Sequence, residues 1–124
     1  MLDHIGLRVK NLEKSQLFYE QLLAPLGFSV VMSFRGIVGF GDCGKPAFWL
    51  SALSTEAPAS APLHVAFSAT SRAAVDTFYE AGLAAGGVCN GPAGLREQYH
   101  ANYYTAFLLD PDGNNVEAVC HVGA

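Results

Sequence analysis

Residues 4–9 read His-Ile-Gly-Leu-Arg-Val and residues 64–69 read His-Val-Ala-Phe-Ser-Ala, two stretches of matching pattern separated by sixty positions. The same offset carries Phe18-Tyr19-Glu20 onto Phe78-Tyr79-Glu80, and Leu23, Ala24 and Gly27 onto Leu83, Ala84 and Gly87. One tripeptide match is within reach of chance. Several matches at one spacing, each at the same place in a strand-then-helix pattern, mark a supersecondary unit used twice, and repetition of this kind decides architecture before any local assignment does.

Each unit opens with an alternating strand, Asp3 to Val9 or Leu63 to Ala69, followed by a helix that starts after a plausible N-cap, Asn11 or Ser71. Phe18, Leu22 and Leu26 fall on one helical face, and Gly27 and Gly87 suit the left-handed residue that ends a helix. Strands are expected at Phe28 to Phe34, Ile37 to Phe40 and Phe48 to Leu53, then near Val88, at Tyr103 to Leu109 and at Asn115 to Cys120. The fold class is therefore α+β, one domain over residues 1–124 built from two tandem βαβββ modules: module 1 spans 1–53, an aperiodic linker with two prolines spans 54–62, and module 2 spans 63–124.

With 51% hydrophobic and 15% charged residues, a chain of 124 can bury a core. A net charge of −4 with scattered basic residues argues against nucleic acid and anionic membranes, and no apolar run is long enough to span a bilayer. The expectation is a cytoplasmic protein that acts on a small molecule. Cys43, Cys89 and Cys120 are odd in number and lack metal-finger spacing, so they are read as inert core or edge residues.

Alternate strand residues face opposite sides. In the first strand Ile5, Leu7 and Val9 form an apolar face, while His4, Gly6 and Arg8 share the other. In the fifth, Leu63, Val65 and Phe67 are apolar and His64 stands opposite beside small residues; in the last, Glu117 projects from an otherwise apolar run. A lone strand His is usually structural. Two at equivalent places in a repeat, with a carboxylate that would be costly to bury unpaired, make His4, His64 and Glu117 candidate ligands of a divalent metal. Two His and one carboxylate leave coordination positions open for a substrate that the metal polarises as a Lewis acid, so the modules are expected to form a curved mixed sheet around a metal-binding cleft. The tetrapeptide Asp110-Pro-Asp-Gly113 has the spacing of a type I turn and not of a calcium loop.

The opening Leu2-Asp-His-Ile-Gly-Leu-Arg-Val9, the helix with Phe18-Tyr19, His64-Val-Ala-Phe67 and Phe107-Leu-Leu-Asp-Pro-Asp-Gly-Asn-Asn-Val-Glu117 together resemble the vicinal oxygen chelate superfamily, which includes glyoxalase I, extradiol dioxygenases, fosfomycin-modifying thiol transferases and bleomycin-resistance proteins. The resemblance covers nearly the whole chain. It implies metal ligation by His4, His64 and Glu117, with Fe, Mn, Ni, Zn or Co as the ion, and a catalytic role for Glu117. It also implies a homodimer, because relatives with two modules often complete each cleft across two chains. Trp49 stands where glyoxalase I usually supplies a fourth ligand, which leaves a three-residue set similar to that of the dioxygenases and thiol transferases. Gly6 departs from the hydroxyl residue that those transferases usually carry. The leading expectation is a metal-dependent enzyme of glyoxalase or dioxygenase type; a drug- or metabolite-binding protein of bleomycin-resistance type and a thiol transferase are the alternatives. Arg8, Trp49, Arg96, Tyr99, His100 and Tyr103 are candidate substrate contacts, the last four in an irregular stretch from Gly91 to Tyr104 that could cover the cleft. His121 is read as a frayed terminal residue.

Overall fold

The computed structural model describes residues 2–54 and 62–123. Most of the expected linker therefore lies outside the described residues. Module 1 runs β1 (Ile5–Val9), α1 (Leu12–Leu23), a 3-10 turn, β2 (Ser29–Phe34), β3 (Ile37–Asp42) and β4 (Lys45–Ala52). Module 2 repeats the order with β5 (His64–Ser68), α2 (Arg72–Ala84), β6 (Val88–Leu95), β7 (Tyr104–Leu109) and β8 (Asn115–Cys120). Each makes its own four-stranded mixed sheet, ordered β1-β4-β3-β2 and β5-β8-β7-β6, in which the first strand lies parallel to the last and the remaining neighbours are antiparallel. The equivalence of the modules extends to the register, since Gly6 pairs with Trp49 where Ala66 pairs with Glu117, although the offset grows from 66 − 6 = 60 at the first strands to 117 − 49 = 68 at the last.

The helices begin where the sequence places their caps: the Asn11 side chain accepts from the Lys14 N–H at 3.0 Å and Ser71 Oγ from the Ala74 N–H at 3.1 Å, each satisfying an otherwise orphaned donor. The C-terminal expectation holds for Gly27 (φ 87°), but in module 2 it is Gly86 (φ 98°), not Gly87, that turns left-handed.

Three strands extend further than their apolar runs indicate, β3 by running on to Asp42. β4 starts at Lys45 and takes in Pro46, which sits at a register shift where Gly41 comes so close to the Lys45 carbonyl that a β-carbon there would overlap it. β6 continues to Leu95, into the start of the stretch read as irregular, because Gly91 and Gly94 mark bulges on an edge strand, where Pro92 is also tolerated. Of the cysteines only Cys120 is buried; Cys43 lies in the β3–β4 turn and Cys89 on β6, both exposed.

The helix-facing sides of both sheets close on one core. Phe18, Tyr19, Phe40 and Phe48 from module 1 and Phe67, Val75, Phe78 and Leu108 from module 2 belong to a single buried cluster, with Phe48 edge-on to Phe67 at 5.2 Å between ring centroids. The Asp110–Gly113 turn clasps the modules. Asp110, at the end of β7, accepts the Tyr19 hydroxyl of α1 at 2.5 Å, and Asp112 accepts the Lys10 N–H at 3.0 Å. The turn itself closes by a hydrogen bond from the Gly113 N–H to the Asp110 carbonyl at 3.0 Å. Because both sheets turn their apolar sides inward, the faces carrying His4 and Trp49 on one and His64 and Glu117 on the other point away from this shared core.

Candidate functional site

Glu117 stands at the centre of the outer face of the second sheet, yet is only 2% exposed. Strand parity turns it away from Val116 and Ala118, which fill the core. A carboxylate so enclosed needs partners. Its Oε2 accepts the Tyr103 hydroxyl at 2.6 Å and faces Thr105 Oγ1 at 2.7 Å. Thr105 has one proton to share between that oxygen and the Ala118 carbonyl, 2.9 Å away. The other oxygen, Oε1, lies 3.0 Å from His64 Nε2. His64 Nδ1 is 3.1 Å from the Asn115 carbonyl, which can only accept, so Nδ1 carries a proton and Nε2 is the nitrogen aimed at Glu117.

A cluster of rings packs behind Tyr103. Tyr103 packs edge-on against Tyr99 at 5.1 Å and His121 at 5.2 Å, and His121 meets His100 at 5.7 Å. The ring of His121 is thus engaged, where a frayed terminus was expected. Arg96 donates to the Pro92 carbonyl at 2.8 Å and stands 5.8 Å from the centre of the Phe107 ring, so its guanidinium braces the bulged strand. Burial, with the hydrogen bond to Glu117 second, pushes the Tyr103 hydroxyl up to about 12. Raised above its ordinary value of 10.0, the group contributes stability that is complete below that value and is lost as pH rises through about 12. In an alkaline titration of phenolate absorbance, Tyr103→Phe should remove one late-ionising tyrosine; an unchanged late step would assign it elsewhere.

The first sheet carries a different face. His4 Nδ1 meets Asp3 Oδ1 at 2.7 Å, and Asp3 Oδ2 pairs with Lys45 Nζ at 3.1 Å. The hydrogen bond from His4, then Lys45, holds the Asp3 carboxyl below its usual range. Since the carboxylate accepts at Nδ1, the neutral ring keeps its lone pair at Nε2. Trp49 takes the place that Glu117 has in the second sheet, half-buried between core residues Phe48 and Leu50 and facing the opposite way from them. Together with His4, Gly6, Phe34, Ile37 and Ser51 it lines an open cleft of about 460 Å³. Arg8 is exposed on the same face, paired in register with Ser51.

Within one chain the structure joins His64 to Glu117 and leaves His4 on the other sheet; among the described residues no group of three or more His, Cys, Asp or Glu side chains is placed to hold a metal ion. Thr105 and Asp3 are contacts that reading the chain as a sequence did not single out. Thr105 was findable in principle, since it alternates with Tyr103 and Phe107 on the strand opposite Glu117.

Two tandem βαβββ modules, each with a polar constellation on the outer face of its sheet, define a class of paired-module protein. The chain belongs to the Glyoxalase/Bleomycin resistance protein/Dioxygenase superfamily, whose family model matches residues 1–118. Among solved structures it is similar to a glyoxalase/bleomycin resistance protein from Albidiferax ferrireducens T118, at 31% identity with a TM-score of 0.82 over 97% of this chain and 98% of that one. It shares its fold with a glyoxalase/bleomycin resistance protein/dioxygenase family enzyme from Burkholderia phytofirmans PsJN (20% identity, TM-score 0.73, 97% and 98% covered) and a lactoylglutathione lyase from Agrobacterium tumefaciens (21%, 0.69, 97% and 92%). A comparison with curated proteins finds no match. Among the described residues no helix is long and apolar enough to cross a membrane.

Proposed function

We propose that the protein is a metal-dependent enzyme of glyoxalase or dioxygenase type, acting on a small substrate that binds through adjacent oxygens, with its site completed in a homodimer by His64 and Glu117 of one chain and His4 of the other. The observation that carries this reading is the His64–Glu117 pair. Two donors each about 2.1 Å from one ion lie about 3 Å apart when their bonds are at right angles, and the Nε2 to Oε1 separation is 3.0 Å. The donor types suit a divalent first-row ion, which would supply Lewis-acid polarisation of a substrate oxygen. Tyr103 and Thr105 occupy Oε2, so Glu117 offers one oxygen inward, and the Asn115 carbonyl fixes the tautomer of His64. Trp49, in place of a fourth ligand, leaves room for substrate.

The dimer is supported by the sheet edges. β1 and β5 are both edge strands, His4 and His64 sit at their starts, and Leu2 and Leu63 just before them are 79% and 38% exposed. Exposed edges with apolar flanks are surfaces that a second chain can cover. The test is to reconstitute the untagged protein with each candidate ion and measure bound metal alongside sedimentation. One tightly held ion per chain in a dimer is expected. Failure of every divalent ion to bind stoichiometrically refutes the metal reading, and a monomer that still holds one ion per chain refutes the shared site.

A further inference from the structure

We infer that the outer face of the first sheet is a docking platform for a planar aromatic ring bearing an anionic group, so that the small substrate is an aromatic acid. The cross-strand neighbours of Trp49 are Gly6 on one side and Gly39 on the other. A β-carbon at position 39 would lie 2.7 Å from Trp49 Cζ3 and 2.9 Å from Cε3, so the six-membered part of the indole rests on bare β3 backbone where any other residue would put a side chain. One side of the indole is thus seated on the sheet while the ring still lines an open cleft. Phe34 and Ile37, beside it in the same cleft, are 59% and 39% exposed, which leaves apolar area that the core does not use. The volume, about 460 Å³, is that of a small-molecule site. A seated indole with apolar neighbours recognises a flat ring by offset stacking.

The charge on this face sets the second half of the class. Parity places Arg8 on it, and no Asp or Glu shares it among the β1, β3 and β4 positions that flank Trp49. A guanidinium pairs with a carboxylate through two parallel hydrogen bonds. Gly6 is the residue level with Trp49, and Arg8 and His4 lie two residues to either side of it, each about 6.6 Å along the strand. A ring over the indole therefore reaches Arg8 with a carboxylate at one end and turns its other end towards His4. Only that last element, the group at the His4 end, rests on the metal reading above.

Calorimetry on the intact protein in EDTA tests the platform apart from the metal, using 2-naphthoate, uncharged 2-naphthol and cyclohexanecarboxylate as probes. Saturable binding of 2-naphthoate is expected, with cyclohexanecarboxylate about two- to tenfold weaker. Arg8→Gln should weaken 2-naphthoate by about tenfold or more, a charge-assisted hydrogen bond's worth, and leave 2-naphthol unchanged. Gly39→Ala, which displaces the indole, should weaken both ring probes, with circular dichroism checking that the variant is folded. The platform is overturned if no ring probe binds at millimolar concentration, if the non-aromatic acid binds as well as the aromatic one, or if Arg8→Gln weakens acid and alcohol alike. Ring binding in EDTA by a protein that also takes up no divalent ion on reconstitution keeps this inference and refutes the metal reading; ring binding seen only with loaded metal overturns this inference and keeps the metal reading.

Discussion

Replacing His64 by Ala should lower the affinity for the divalent ion by at least about 100-fold, the upper end of what loss of a mere supporting contact costs a metal site. In the proposed site His64 is one of the two donors held 3.0 Å apart, and Ala would leave Glu117 facing it alone. His4→Ala should have a comparable effect even though His4 lies on the other sheet. The two variants then make a cross-chain test. If each site takes His4 from one chain and His64 with Glu117 from its partner, mixing the two inactive variants by unfolding and refolding yields mixed dimers that contain one intact site each, because symmetry pairs the sound half of one chain with the sound half of the other. Metal binding that returns on mixing supports the shared site. Two variants that stay empty together, when each alone is dimeric and folded, would rule it out.

The reason such a test is needed lies in what strand parity can and cannot reveal. Parity assigned His4, His64, Trp49 and Glu117 to the faces they occupy, and aligning the last strands of the two modules, Phe48-Trp49-Leu50 against Val116-Glu117-Ala118, set Trp49 and Glu117 at equivalent places; both follow from local period and self-comparison. Neither says how two sheets sit relative to each other. The shared core formed by Phe48, Phe67 and their neighbours turns the two outer faces apart, a consequence of docking that no window of sequence contains. Thr105 is a different case: its parity puts it on the Glu117 face, and its hydroxyl reaches the carboxylate through the β7–β8 register that the turn between those strands sets. At β6 composition misleads: Gly91, Pro92 and Gly94 are loop-forming residues, yet an edge strand absorbs them as bulges. At the end of α2, two adjacent glycines offered the same conformation and Gly86 took it.

Asp110→Ala should be the most destabilising single change outside the apolar core, costing about 3–5 kcal/mol. The tetrapeptide that holds Asp110 was legible as a turn, but its wider role depends on a partner 91 residues away. Asp110 is 6% exposed and accepts four hydrogen bonds: from the Asp112 N–H at 2.9 Å, the Asn114 N–H at 2.8 Å, Asn114 Nδ2 at 2.9 Å and the Tyr19 hydroxyl at 2.5 Å. Tyr19 is fully buried, so removing the carboxylate strands a hydroxyl in the core as well as donors in the turn, and an orphaned buried donor costs about 1–3 kcal/mol. Three comparison variants separate this from a general loss of packing. Tyr19→Phe keeps the ring and leaves Asp110 its other three donors, so it should cost about 1.5–3 kcal/mol, the worth of one hydrogen bond to a charged group. Asp110→Asn keeps the shape but turns one acceptor into a donor, which must then face a donor from Tyr19 or from Asn114, and should fall between the two. Asp112→Ala loses the more exposed contacts to the Lys10 N–H at 3.0 Å and Ser15 Oγ at 3.4 Å, and should cost about 1 kcal/mol or less. Urea unfolding followed by the emission of Trp49, the sole tryptophan, measures all four. If Asp110→Ala unfolds no more readily than Asp112→Ala, the buried carboxylate does not clasp the modules and the docking of the two sheets rests on the apolar core alone.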